Sequence, residues 1–249
     1  MQDRRRIIPC LTMQHLDLVK TVGFKNPRYI GDPINAVRIF SEKGVDELCL
    51  LDITATKEHR APDIPFLHEI AGEAFIPLGY GGGIRTVDQA REIIRMGFEK
   101  VIINSLLFED PDEVRRIIDF AGEQSVVASI DYRYNILGKA YVVTHCGCDK
   151  TGMTVLEALK YAERIGVGEI LLTSINAEGS MKGYDLKCIK EIEDKANVPV
   201  IANGGAGGVE DIKRAFDAGA DAVSASSMFV YYGKNKAVLI NTLDSFACI

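Results

Sequence analysis

The chain has 249 residues, 47% hydrophobic and 26% charged, with a formal net charge of −6. That length can bury a large core without disulfides or a structural metal. The acidic balance excludes a general nucleic-acid binder and a protein drawn to anionic membrane surfaces.

No apolar run is long enough to span a bilayer. The charged start, Met1 to Arg6, leads straight into Ile7-Ile8-Pro9-Cys10-Leu11, which reads as a strand rather than a signal peptide. Cysteines at 10, 49, 146, 148, 188 and 248, without a secretion signal, read as free thiols of a cytoplasmic protein. Cys146 and Cys148 lie beside His145 but lack a second ligand pair at metal-site spacing, so neither a metal nor another cofactor is expected.

Taken in chain order, short β-branched runs predict strands at Arg6–Leu11, Glu47–Asp52, Ile76–Tyr80, Lys100–Asn104, Val126–Ile130, Glu169–Thr173, Val198–Ala202 and Ala222–Ala225. Between most of them fall helical patterns at Pro33–Lys43, Val87–Met96, Asp112–Ala121, Thr154–Ile165, Leu186–Lys195 and Val209–Ala218. Pro33 suits a first helical turn, and Gly44, Gly97, Gly166 and Gly219 suit helix ends. This alternation predicts parallel βαβ units. No low-complexity linker interrupts the series, so residues 1–249 are expected to form one domain.

The spacing repeats. At an offset of 122 residues, Glu47, Leu50 and Ile53 meet Glu169, Leu172 and Ile175, and Pro77, Gly82, Gly83, Val87, Gly97, Val101 and Ser105 meet Pro199, Gly204, Gly205, Val209, Gly219, Val223 and Ser227. The expected fold is an α/β (β/α)8 TIM barrel of two fused half-barrels. An open doubly wound sheet with a fortuitous repeat is the rival.

Gly81-Gly82-Gly83 follows the third strand, and Gly204-Gly205-Ala206-Gly207-Gly208 follows the seventh. Loops without side chains let backbone N–H groups approach an anion, and the next helix start adds partial positive charge. Asn104-Ser105 and Ser226-Ser227 would complete two phosphate cradles at one end of the barrel. Gly179 and Lys20 are further phosphate candidates. Lys20, in the long first loop, also reads as a solvated lysine, and the glycines also read as tight turns.

These segments resemble the cyclase subunit of imidazole glycerol phosphate synthase along nearly the whole chain. The resemblance rests on Arg6–Leu11, Gly31-Asp32-Pro33, Asp46-Glu47-Leu48, Leu51-Asp52-Ile53, Gly81-Gly82-Gly83-Ile84, Gly168–Ile175, Gly183-Tyr184-Asp185 and Gly204–Gly207. It implies a barrel that takes ammonia from a glutaminase partner and closes an imidazole ring on a bisphosphorylated ribonucleotide.

The family pattern places catalytic aspartates at the tops of strands one and five. Asp131 matches the second, whereas Thr12 stands at the first. A threonine hydroxyl positions but does not titrate near neutral pH. Asp52 at the end of strand two is a substitute proton-transfer candidate, or equally a loop hydrogen-bonding group. Asn176 and Glu178 also replace family aspartates, and Lys236–Asn241 departs from the usual last helix.

The resemblance further maps an ammonia gate onto Arg6, Glu47, Lys100 and Glu169, at the N-terminal face where the glutaminase would dock. On physics alone these four charges read as a salt-bridge layer closing the barrel.

The segments Leu18–Val22, Lys25–Tyr29, Gly31–Phe40 and Ala237–Ile240 are similar to cyclase-like paralogues of surface-polysaccharide gene clusters. That likeness implies acetamidino-sugar formation, with a separate amidotransferase as a further partner. An active histidine-pathway cyclase and a non-catalytic scaffold that activates the glutaminase are the alternatives.

Overall fold

A computed structural model describes residues 5–233 and 235–241. The charged segment before Arg5 and Cys248 lie outside the described residues. Eight parallel strands form the barrel. They are β1 (Arg6–Gln14), β2 (Leu48–Asp52), β3 (Leu78–Gly81), β4 (Lys100–Ile103), β5 (Val126–Tyr134), β6 (Glu169–Ser174), β7 (Val200–Asn203) and β8 (Ala222–Ala225). Each pairs with the next, and β8 pairs back onto β1 through Arg6–Ala222 to Pro9–Ala225. Closure excludes the open doubly wound sheet.

Helices α1 (Pro33–Lys43), α2 (Ile64–Gly72), α3 (Val87–Arg95), α4 (Pro111–Ala121), α5 (Val155–Ile165), α6 (Leu186–Glu193) and α7 (Val209–Asp217) lie between the strands. Their ends follow local chemistry. Asp32 caps α1 by accepting from Asn35 N at 2.7 Å, Pro33 enters the first turn, and Gly44 closes the helix in the left-handed region. Thr154 and Glu157 form a reciprocal capping box on α5. The helices bury apolar stripes such as Ala36, Val37 and Phe40 of α1 against the outer barrel wall. Burial of a side chain the size of Phe40 contributes about 1.5–3 kcal/mol.

Three features depart from the predicted elements. The long first loop is a β-hairpin, Asp17–Val22 paired with Lys25–Gly31, continuing from the extended end of β1. An equivalent hairpin, Ala140–Thr144, pairs with the extended end of β5. Among the described residues, β8 is followed by a single turn, Ser227–Val230, and a small ribbon, Tyr231–Tyr232 with Ala237–Val238, which were not among the predicted elements. Lys20 therefore sits on a strand, not in a solvated loop, and is 4% exposed.

Candidate functional site

Side chains alternate across a strand with period two, which sorts every barrel residue to the bore or the outer wall. Ile8, Cys10, Cys49, Ile102, Val127, Leu171, Ile201 and Ala222 form one buried cluster with Leu51 against it. The neighbouring positions Ile7, Leu11, Leu48, Leu50, Val101, Ile170 and Val223 belong to the outer core. Stepping by two from the bore cluster reaches Arg6, Glu47, Lys100 and Glu169 at the strand beginnings. In the other direction it reaches Thr12, Asn104, Asp131, Thr173, Asn203 and Ser226 at the strand ends.

The four charges close a ring. Arg6 donates to Glu47 Oε2 at 2.7 Å and to Glu169 Oε1. Lys100 Nζ bridges the same two carboxylates, at 3.0 Å to Glu47 and 2.7 Å to Glu169. Burial works against the Arg6 cation, but the Glu169 and then Glu47 carboxylates raise its pKa above the ordinary value. Each buried anion thus has two cations, as buried charge requires.

At the opposite end a cleft of about 1330 Å³, its open mouth included, gathers Thr12, Lys20, Asp52, Gly82, Gly83, Asn104, Ser105, Asp131, Gly179, Gly204, Gly205, Ser226 and Ser227. One cavity thus holds both predicted cradles and all three catalytic candidates. The two glycine loops are shaped by close chain approach. Gly82 has φ +123° and a Cβ there would lie 2.5 Å from Asp52 O. Gly205 has φ +116° with Gly183 O only 2.0 Å from such a Cβ. Only glycine fits either place.

The two cradles are not equivalent. The buried hydroxyls of Ser226 and Ser227 have no hydrogen-bond partner, so they remain available to a ligand. Ser105 Oγ donates to Asn104 Oδ1 at 3.3 Å and accepts from His145 N at 3.1 Å. The loop after the second hairpin therefore engages the first cradle. Its Cys146 thiol donates to Ile53 O at 3.0 Å, and burial pushes the Cys146 pKa up to about 12.

Asp131 is the cavity carboxylate with no cationic partner among the described residues. It accepts from Ser129 Oγ at 3.1 Å and Asn104 Nδ2 at 3.4 Å. Burial raises its pKa to about 6, against the hydrogen bonds of Ser129 and Thr173 that lower it. The other cavity carboxylates are engaged. Glu178 pairs with Lys20 and accepts from Thr21 Oγ1 and Phe24 N. Glu109 lies 3.0 Å from His145 Nε2. Asp52 takes Thr54 N, Thr54 Oγ1 and Ala55 N on one oxygen and Arg60 Nη2 at 3.3 Å on the other.

Of the two roles expected for it, Asp52 has the contacts of the loop hydrogen-bonding group, capping its own turn. It follows the bore-facing Leu51, so alternation turns it out of the bore.

Thr12 lies in the bore-face position related to Asp131. Thr12 is in register with Leu51 of β2 and Val19 of its hairpin. Asp131 is in register with Thr173 of β6 and Val143 of its hairpin. Leu51 and Thr173 are themselves equivalent at the repeat offset. The Thr12 hydroxyl donates to Val19 O.

Lys57, Arg85, Thr173 and Asn203 also line the cavity and were not singled out from the sequence. Thr173 and Asn203 were findable from strand parity. Lys57 and Arg85 sit in loops with no local signal. Tyr80, just before the first glycine loop, packs on the outer wall against Phe98, with ring centroids 6.0 Å apart.

The raised Asp131 pKa sets a stability signature. As pH rises, the unfolded chain releases this proton near 3.8 and the folded chain only near 6, so folding loses stability across that window. Asp131→Asn should therefore be stabilised by about 3 kcal/mol at pH ~7 and show no gain below pH ~4. Urea unfolding at the two pH values checks this. Equal midpoint changes at both would rule out a buried, perturbed carboxylate.

A family model described as "Histidine biosynthesis protein" matches residues 6–236. The chain is 48% identical over 238 residues to the "Putative imidazole glycerol phosphate synthase subunit HisF" of Leptospira interrogans, covering 95% of this chain and 94% of that one. It is 47% identical over 242 residues to the "Putative imidazole glycerol phosphate synthase subunit hisF2" of Pseudomonas aeruginosa, covering 97% and 96%. It is 42% identical over 228 residues to the imidazole glycerol phosphate synthase subunit HisF of Pyrococcus furiosus, covering 91% and 90%.

Proposed function

The chain belongs to the histidine biosynthesis protein family, and from that premise we propose that it is a HisF-like subunit that receives ammonia from a glutaminase and delivers it to a phosphorylated substrate. The observation that carries this reading is the continuity of one bore. A charged ring of Arg6, Glu47, Lys100 and Glu169 stands at the strand beginnings. An apolar sleeve follows, and a cavity rich in hydrogen-bonding groups lies at the strand ends.

In this reading the glutaminase docks at the ring face. Neutral ammonia passes the ring and crosses the sleeve, where a cation would lose its hydration without compensation. The substrate phosphate takes the hydroxyls of Ser226 and Ser227 with the Gly204-Gly205 and Gly179 loops, and Lys20 faces the same cavity. Gly82 and Gly83 hold the other end, beside Asn104 and the Ser105 hydroxyl already engaged by His145 N. Asp131, with its pKa of about 6, acts as general acid and base at the reacting atoms.

Thr12 directs the choice of reaction. Ring closure in this family pairs two carboxylates across the substrate, and here one member of the pair is a hydroxyl bonded to Val19 O. A single carboxylate suffices for attack of ammonia on one activated carbon: it takes a proton from the attacking nitrogen and returns it as the bond to the activated oxygen breaks and that group leaves. That supports acetamidino modification of a surface-polysaccharide sugar, with a separate amidotransferase activating the acceptor, over imidazole formation. The relatives named as imidazole glycerol phosphate synthase subunits favour the second reading, a histidine-pathway cyclase working with Asp131 and solvent.

The test is titration of the purified chain into the glutaminase subunit from the same organism while glutamine hydrolysis is followed. Hydrolysis should rise and saturate at a fixed stoichiometry. An unchanged rate would remove the partner and, with it, the ammonia-receiving role.

A further inference from the structure

Matching hairpin loops reach past the two glycine cradles but end on different partners. At the repeat offset, Gly23-Phe24 of the first hairpin corresponds to His145-Cys146 after the second. All four residues have φ between +50° and +62°. The first loop runs from β1 past the ends of β8 and β7 to the loop after β6. There Gly23 N donates to Glu178 O at 3.0 Å and Phe24 N to Glu178 Oε2 at 3.2 Å. The second runs from β5 past the ends of β4 and β3 to the loop after β2. Its Cys146 thiol donates to Ile53 O at 3.0 Å, but His145 N donates to Ser105 Oγ at 3.1 Å. This loop therefore rests on the cradle itself. The cause is a sequence difference: Thr56 stands at the position equivalent to Glu178 and offers no carboxylate to hold the hairpin.

Donors that are open in the second cradle are taken in the first. The buried Ser226 and Ser227 hydroxyls have no hydrogen-bond partner. At the equivalent positions, Asn104 Nδ2 donates to Ser129 O at 2.9 Å and Ser105 Oγ donates to Asn104 Oδ1 at 3.3 Å. Gly83 N donates to Thr56 Oγ1 at 3.3 Å. Charge differs in the same sense. Lys20 of the first hairpin lines the cavity and offsets Glu178, whereas its counterpart on the second hairpin is the buried Val142. Glu109, at the end of the turn that begins with Ser105, lines the cavity 3.0 Å from His145 Nε2. Lys57 and Arg85 are exposed at the mouth, where salt screens them. A phosphate entering the first cradle would meet a carboxylate and an occupied hydroxyl, and a desolvated anion without new donors is strongly disfavoured.

We propose that the His145-Cys146 loop makes this cavity selective for a ligand phosphorylated at one end only. The second cradle takes the phosphate, and the strapped first cradle takes an uncharged end of the same molecule. The inference rests on the reading that the cavity binds a phosphorylated substrate, and it narrows that substrate to a monophosphate class. Phosphate binding is measurable on this chain alone.

The experiment is backbone-amide NMR of the isolated protein, titrated with inorganic phosphate, with potassium chloride at equal ionic strength as the control. Expected are saturable shifts at Gly204, Gly205 and Ser227, with Gly82, Gly83 and Ser105 silent or responding roughly tenfold more weakly. Ser227→Ala should weaken the response by roughly tenfold, and Ser226→Ala serves if that variant folds poorly. A double variant, His145→Gly with Cys146→Gly, keeps the left-handed backbone and removes the side-chain ties to Glu109 and Ile53. In it the first-cradle amides should gain a saturable phosphate response.

Saturable shifts of similar affinity at both cradles of the wild type overturn the proposal. So does a wild type silent at both, which removes the phosphate site itself. A first cradle that stays silent in the double glycine variant overturns the role given to the loop. Failure of glutaminase stimulation with the one-sided phosphate response intact would instead discard the ammonia-receiving role and leave this selectivity standing.

Discussion

Thr12→Asp should raise ammonia-dependent ring closure on the family's bisphosphorylated ribonucleotide by about 10²–10⁴-fold, the usual contribution of a positioned general acid or base. The register places Thr12 and Asp131 in matching positions on the bore face, each followed by a hairpin on the same side. An aspartate at 12 would thus face the substrate from the side opposite Asp131, completing the carboxylate pair.

The substitution also has a cost. Thr12 donates to Val19 O, and a carboxylate cannot. Loss of that bond costs about 1 kcal/mol, so the melting temperature should fall by roughly 2–4 °C. Adding Asp131→Asn to Thr12→Asp should return the rate to its starting level. Ammonia-dependent turnover measured on purified wild type, single and double variants decides the matter. Wild-type turnover as fast as that of Thr12→Asp would overturn the sugar reading and establish the histidine-pathway cyclase.

Lys100→Met should destabilise the fold by about 3–5 kcal/mol, the range for removing one partner from a buried ion pair. Lys100 Nζ reaches Glu47 at 3.0 Å and Glu169 at 2.7 Å, and both carboxylates are at most 9% exposed. Without it they share Arg6 alone, whose side chain is 30% exposed. Two buried anions with one cation are undercompensated, which is the arrangement that makes such removals expensive. Urea unfolding at neutral pH reads the loss. A change under about 0.5 kcal/mol would show that the ring is solvated and contributes like a surface pair.

The same variant separates gate from girdle. With glutamine and the glutaminase, product formation should drop. With ammonium salt supplied directly at the cavity mouth, the rate per folded molecule should hold. Equal loss of both routes would make the ring a structural layer only.

Much of this arrangement was legible in the sequence because its signals are local and periodic. The strand expected at Ala222–Ala225 is present with those bounds, and α1 spans the expected Pro33–Lys43. The internal repeat reappears in the registers on either side of Thr12 and Asp131. Glycine clusters after strands three and seven did mark one cavity. By contrast, the first hairpin and α2 were missed. Their segments are short, and Pro27 and Pro65 interrupt the patterns that would have announced them.

By itself the sequence determined the alternation of strands and helices, the two halves, the absence of the strand-one aspartate and the residues able to form a charged ring. Those follow from residue identity and spacing. Only the tertiary structure decided which polar groups are free to act. Glu178 neutralises Lys20 across 158 residues, Arg60 and the turn amides occupy Asp52, and His145 occupies Ser105. Among the described residues Asp131 has no cationic partner, and the Ser226 and Ser227 hydroxyls have no hydrogen-bond partner. The reason is physical: hydrogen bonds and ion pairs depend on distances between chain segments far apart in sequence, and barrel closure sets those distances.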